Sequence, residues 1–130
     1  MKVVFVCGPF TAPNAWGIEC NIRRAEEVAY HVARVGASPL CPHTNTRFFE
    51  GTMTPEFWYE ATMELMKRCD ALITVEGWER SKGARREIDE AGHRPVFNTI
   101  GALDSWLRVH ERVEIQKEIP LSKRQEKEPT

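Results

Sequence analysis

The sequence predicts an α/β domain in which a parallel sheet is covered by helices on both faces. Three observations carry this. Residues 2–7 and 70–75 are short runs dense in Val, Phe, Ile, Leu and Ala with little polar alternation, the pattern of strands buried on both sides. The segments between such runs carry apolar residues at helical spacing. Gly and Pro punctuate the boundaries, as in Gly8-Pro9, Gly36 and Pro42. Strands that alternate with helices build βαβ units.

Taken in order, residues 2–7 form the first strand, ended by Gly8-Pro9. Residues 18–35 form an amphipathic helix with Ile18, Ile22, Ala25, Val28, Ala29, Val32 and Ala33 on one side and Arg23, Arg24, Glu26 and Glu27 on the other. Gly36 closes it as a C-cap. Ser38–Cys41 is a short second strand stopped by Pro42, and residues 42–53 are a longer loop. Thr54-Pro55-Glu56 has the chemistry of a helix start: a capping hydroxyl, proline at the first helical position and an acid in the first turn. That helix is expected to present Phe57, Ala61 and Leu65 on one face, with Trp58 and Met66 beside it. Asp70–Val75 is the clearest strand, residues 76–82 a loop, 83–91 a short helix and 95–97 a fourth strand. Residues 100–113 form a last helix, followed by a polar tail over 114–130 in which Ile119-Pro120-Leu121 is the one stretch able to dock. Right-handed crossovers set the strand order 2-1-3-4, a flavodoxin-like or Rossmann-like three-layer sandwich, with a fifth strand left open.

Composition narrows the function. The 130 residues are one domain's worth, 42% hydrophobic and 28% charged, an ordinary balance for a chain that folds unaided. Lys and Arg number 18 against 19 Asp and Glu, so the basic excess of a protein that wraps polynucleotide is missing. No apolar run is long enough to span a bilayer. The apolar start is too short for a signal peptide and has no small-residue cleavage site, so a cytoplasmic location is expected. Cys7, Cys20, Cys41 and Cys69 show no metal-ligand spacing, and neither metal nor cofactor is expected.

In such a sheet ligands bind beyond the carboxyl ends of the strands, at the switch point between strands 1 and 3. Residues 8–17 and 76–82 flank that crevice, and the His43 loop emerges at the same edge. Phe10 and Trp16 could stack on a planar base or cap the core. The first segment carries neither the Gly-x-Gly-x-x-Gly nor the phosphate-loop pattern. Ser81 can cap the helix that follows, whose free N–H groups suit a phosphate or carboxylate. Glu87 lies one to two turns inside that helix, where a carboxylate can be a nucleophile or stabilise a cationic sugar centre; a merely solvated Arg-Arg-Glu-Ile-Asp-Glu surface is the plainer reading. His43 has the pKa range for proton transfer, although a lone loop histidine is more often structural. Asp70 opens its strand, at the end of the sheet away from the site.

Five stretches together resemble the nucleoside 2-deoxyribosyltransferase-like superfamily. They are Gly8-Pro9-Phe10, Asn21-Ile22-Arg23-Arg24-Ala25, Cys41-Pro42-His43-Thr44-Asn45, Cys69-Asp70-Ala71-Leu72 and the run from Gly77 to Glu87. The resemblance covers residues 1–107 and is most specific in the last stretch. It is nearest to the short bacterial and phage branch of unassigned function. Among characterised groups the nearest are the 2′-deoxynucleoside 5′-phosphate N-hydrolases and CMP N-glycosidases. It implies that Glu87 attacks the anomeric carbon, with Gly83 and Ser81 in step before it and His43 as a candidate general acid. It also implies substrate contacts from Gly8, Pro9, Phe10, Trp16, Asn45, Ser81 and Gly83. Serine at position 81, where the transferases carry aspartate, favours a nucleotide over a free nucleoside. Thr62 stands where relatives often have an acid, and Lys82–Arg86 is more basic than in the characterised enzymes.

The expected activity is therefore cleavage of the N-glycosidic bond of a nucleoside 5′-monophosphate. A 2-deoxyribosyltransferase, or a nucleotide-sensing module without catalysis, are the alternatives. Relatives close their sites with a second subunit, and Phe10, Trp16, Phe48, Phe49 and Trp78 ring the same edge. A homodimer with the Phe48-Phe49 loop at the contact is expected.

Overall fold

Valine, phenylalanine and cysteine follow one another in β1 (Val3–Cys7) without a polar break because both faces of that strand are covered. Val4 and Val6 pack into one apolar cluster, with Ala25 and Val32 of α1 (Ala15–Arg34) and Leu103 and Leu107 of α5 (Ile100–His110). Phe5 and Cys7 pack into the other, with Met63 and Met66 of α3 (Pro55–Met66) and Ala84 of α4 (Lys82–Asp89). β1 is central in a four-stranded, all-parallel sheet completed by β2 (Ser38–Leu40), β3 (Ala71–Thr74) and β4 (Val96–Phe97). The order is β2-β1-β3-β4, as the sequence predicts. Val4 lies beside Ala71 and Phe5 beside Leu72 on one side, and Val3 beside Ser38 on the other. The molecule is a three-layer α/β sandwich of the flavodoxin or Rossmann type.

The computed structural model describes residues 1–110. The expected continuation of the last helix to residue 113, the polar tail and the Ile119-Pro120-Leu121 segment lie outside the described residues. Among the described residues the sheet has four strands. No described helix is long and apolar enough to cross a membrane, and no described cluster of His, Cys, Asp or Glu could hold a metal ion.

Several boundaries differ from the sequence expectation for local reasons. α1 begins at Ala15, ahead of Ile18, because the Asn14 side chain accepts from the Gly17 N–H at 2.8 Å and caps the helix there. It ends where expected, with Gly36 in the left-handed region at φ 97°. The stretch expected to be loop after β2 opens with a one-turn helix, α2 (Pro42–Asn45), with proline at its first position. Thr54 caps α3 as predicted, its hydroxyl accepting from Phe57 N–H at 3.1 Å. The helix is rotated from the expected face, however. Met63 and Met66 are its buried residues, with Tyr59 packed against the same cluster, whereas Phe57 is exposed. Residues 59, 63 and 66 are an i, i+4, i+7 stripe, and it was this stripe that met the sheet.

At the opposite edge Asp70 accepts the Val3 N–H at 2.8 Å. Arg94 donates to the carbonyls of Lys67, Cys69 and Ala91. Both act away from the crevice, tying chain ends of elements together.

Candidate functional site

Beyond the carboxyl ends of β1 and β3 lies a cavity of about 290 Å³, at the lower end of the range for small-molecule pockets. Gly8 and Phe10 come to it from the segment after β1, and His43 from α2. Trp58, Tyr59 and Thr62 come from α3, and Ser81, Gly83 and Glu87 from the start of α4.

Glu87 is delivered by helix periodicity. Ser81 fixes where α4 starts, its hydroxyl accepting from Ala84 N–H at 3.2 Å. Ala84 is buried against the sheet, and Glu87 follows three residues later on the same face. The carboxylate thus meets the end of β1, where the Cys7 thiol donates to Oε1 at 3.1 Å. Burial pushes the Glu87 carboxyl up to about 7, against the smaller opposite pull of the Cys7 hydrogen bond. Burial, and then the charge of Glu87, push the Cys7 thiol far above its ordinary range. It remains a donor at any physiological pH and is no nucleophile.

His43 is 5% exposed and packs on Phe10, with ring centroids 5.7 Å apart. Its Nε2 lies 2.8 Å from the Pro9 carbonyl oxygen. A carbonyl only accepts, so Nε2 carries the proton. Burial lowers the pKa, with the Pro9 and Gly8 backbone opposing, so the ring is neutral at pH 7 and above. Nδ1 then holds a lone pair, and it is buried without a partner. In this arrangement the only N–H of His43 is held by Pro9. The ring ties α2 to the segment after β1 and is not placed as a proton donor to a ligand.

Gly8 is buried for a reason other than ligand approach. A Cβ there would lie 2.5 Å from Val75 Cβ, so the segments leaving β1 and β3 touch at this point. Gly83 is the opposite case: a Cβ there meets nothing within 4 Å. It opens onto the cavity at the second residue of α4.

A family model described as a domain of unknown function, DUF7768, matches residues 2–97. The chain belongs to that family. No curated protein matches it. The DUF7768 match runs from β1 through β4 and holds every residue that lines the cavity, while α5 lies beyond it.

Of the residues expected at the site of this DUF7768 domain, the fold brings together Gly8, Phe10, His43, Ser81, Gly83 and Glu87. Pro9 stands behind the wall, contributing its carbonyl to His43. Trp16 is 64% exposed on α1, under the Arg23 guanidinium at 5.4 Å, and Asn45 is exposed at the end of α2. Neither lines the cavity.

Sequence reasoning missed Tyr59 and Trp58 as cavity residues. The Arg86 guanidinium sits 3.7 Å from the Tyr59 ring centroid, a cation–π contact joining α3 to α4. The Trp58 indole N–H is buried without a partner. Trp58 and Tyr59 stand four and three residues before Thr62 on one helical face, a spacing that points to the cavity only once the rotation of α3 is known.

Proposed function

We propose that this protein cleaves the N-glycosidic bond of nucleoside 5′-monophosphates, with Glu87 as nucleophile. The observation that carries the reading is the Glu87 carboxyl, brought by a capped helix to the crevice between β1 and β3 and left partly desolvated there. The resemblance to the deoxyribosyltransferase-like superfamily supports it through Gly83 and Ser81 in step with Glu87.

In the first step a Glu87 oxygen bonds to C1′ as the C1′–N bond breaks, and its electron pair leaves with the base. The transition state is cationic at the sugar, so a desolvated carboxylate stabilises it directly. Water then opens the glycosyl ester, giving the sugar 5-phosphate and restoring the carboxylate. The departing base needs a proton. Since the His43 ring N–H is occupied, and the Thr46 hydroxyl donates to the Pro42 carbonyl, the donors on offer are the lining hydroxyls of Thr11, Tyr59, Thr62 and Ser81, and water. Incubation with a panel of nucleoside monophosphates should release free base, read by chromatography. Binding without base release would replace this reading by that of a nucleotide sensor. Base release that depends on a second, acceptor base would make the protein a transferase.

The phosphate is assigned to the start of α4. The N–H groups of Lys82 and Gly83 make no hydrogen bond among the described residues, Ser81 having taken that of Ala84. A charge-assisted bond to phosphate is worth about 1.5–3 kcal/mol, so the monophosphate should bind roughly ten- to a hundredfold tighter than the nucleoside. Gly83→Ala should erase much of that preference by placing a methyl in the open cradle. Because alanine suits a helix better, it should also raise stability, by up to about 1 kcal/mol. Calorimetry with both ligands and a thermal melt check the two halves. Equal affinities in the wild-type protein would remove the phosphate from the reading.

A homodimer is part of the same proposal. Phe10 and Trp78 turn inward, to the cavity and the core, but Phe48 is 85% exposed, and Phe49, Met53 and Phe57 are exposed in the stretch of chain that follows it. Phe48 also holds a left-handed φ of 71°, which costs a bulky residue free energy in solution. A two-fold contact over this patch would bury it. Light scattering at micromolar concentration should give twice the chain mass, and Phe48→Glu should halve it. A wild-type monomer that releases base would refute the dimer alone.

A further inference from the structure

Cys7 is a buried thiol that the proposed reaction does not use, and its surroundings give it a task. It ends β1 beneath Ala84 and Glu87, which line the cavity, and is fully buried, its sulfur 3.1 Å from Glu87 Oε1; the Ala84 carbonyl, at 3.4 Å, is the only other acceptor within reach among the described residues. A carbonyl is a neutral acceptor and a carboxylate a charged one, so an ionised Glu87 is the stronger of the two acceptors of the thiol's hydrogen bond. No hydrogen bond reaches Oε2, and Oε2 is not among the buried unpartnered atoms, so it keeps some exposure in a residue that lines the cavity. The two oxygens of one carboxylate are therefore inequivalent.

We propose that Cys7 is a positioning residue for Glu87: its thiol anchors Oε1, fixes the carboxylate against the sheet and leaves Oε2 as the oxygen presented to the ligand. The catalytic meaning of this rests on the proposed function, but the contact itself does not. A thiol suits the place because it is a donor that is apolar enough to sit among Phe5, Leu72 and Met66. Serine would offer a stronger donor at the cost of burying a hydroxyl, and alanine would leave Oε1 bare. The other ionisable side chains lining the cavity are His43 on α2, Glu50 on the segment after it and Tyr59 on α3. Arg86, next to Glu87 in sequence, is engaged by Tyr59.

The test reads Glu87 without substrate. Carbon-13 NMR of glutamate side chains, with the Glu87 signal assigned by its loss in Glu87→Gln, gives the carboxyl midpoint. Cys7→Ala should raise it by about one pH unit, because the charged form loses a donor. Cys7→Ser, which keeps a donor, should hold it near the wild-type value. The S–H stretch in the infrared provides a measurement on the wild-type protein itself. The band lost in Cys7→Ser should move as pH passes through the Glu87 midpoint, and should stay fixed in Glu87→Gln. An S–H band indifferent to pH, or a midpoint unmoved in Cys7→Ala, would overturn the proposal. If these signals behave as stated in a protein that releases no base, the positioning stands and the glycosidase reading falls. In an active enzyme, Cys7→Ala should lower kcat more than it raises KM and shift the pH profile upward with the carboxyl.

Discussion

Glu87→Gln is expected to lower base release by at least 10³-fold while leaving fold and nucleotide binding in place. The amide keeps the size of the side chain and still accepts from the Cys7 thiol, but it cannot form or stabilise the bond to C1′. Wild-type turnover should climb as pH rises through about 7, where the buried carboxyl ionises, and a falling limb in that range would assign Glu87 the role of acid instead. The same substitution has a stability signature of opposite sign. The carboxyl titrates at about 7 in the folded protein against 4.5 for the ordinary group, so between those values the folded state holds more proton than the unfolded chain. Stability therefore declines as pH rises through this window and the loss is complete above it, amounting to about 3 kcal/mol. Urea unfolding should find Glu87→Gln more stable than wild type at pH 8, with the gap closing toward pH 4.5. Undiminished turnover in Glu87→Gln would end the nucleophile assignment.

The second large effect is expected at Gly8. Gly8→Ala should cost about 3 kcal/mol, the upper part of the range for overpacking a tight core. The added Cβ would stand 2.5 Å from Val75 Cβ and 2.7 Å from its Cγ2. Val75 cannot retreat, since it is buried and its N–H is held by the Cys7 carbonyl at 2.8 Å. The strain falls on the junction between β1 and β3, at the mouth of the cavity, so ligand binding should weaken along with stability. A denaturant midpoint for Gly8→Ala equal to wild type would mean that the two segments part more easily than their contact implies. The comparison with Gly83→Ala is informative: two glycines line one cavity, and the same methyl should destabilise at one and stabilise at the other.

Much of the fold was legible because the relevant signals are local. Gly36 needs a left-handed φ, Thr54 and Pro55 start a helix through their own side chains, and the unbroken apolar runs at 2–7 and 70–75 require cover on both faces. Chain connectivity then allows few sheet orders, and the order found follows from it. The spacing from Ser81 to Glu87 was also readable, because a capping hydroxyl sets the start of a helix and the helical period sets which later residue shares its inner face.

What sequence could not supply were the relations between distant segments. Cys7 and Glu87 are 80 positions apart, and only the packing of α4 on the end of β1 makes the thiol a donor to the carboxylate. The rotation of α3, which sends Met63 and Met66 inward and Tyr59 to the cavity, depends on which of several apolar stripes meets the sheet first. The direction of the His43 proton depends on a carbonyl 34 positions away. The sequence by itself determined the α/β class, the strand order and the start of α3 at Thr54-Pro55, because those rest on backbone preference and period. Tertiary structure alone decided which side chains are desolvated together, and hence the raised pKa of Glu87, the neutrality of His43 and the use of Gly8, since burial is a property of what packs around a residue and not of the residue.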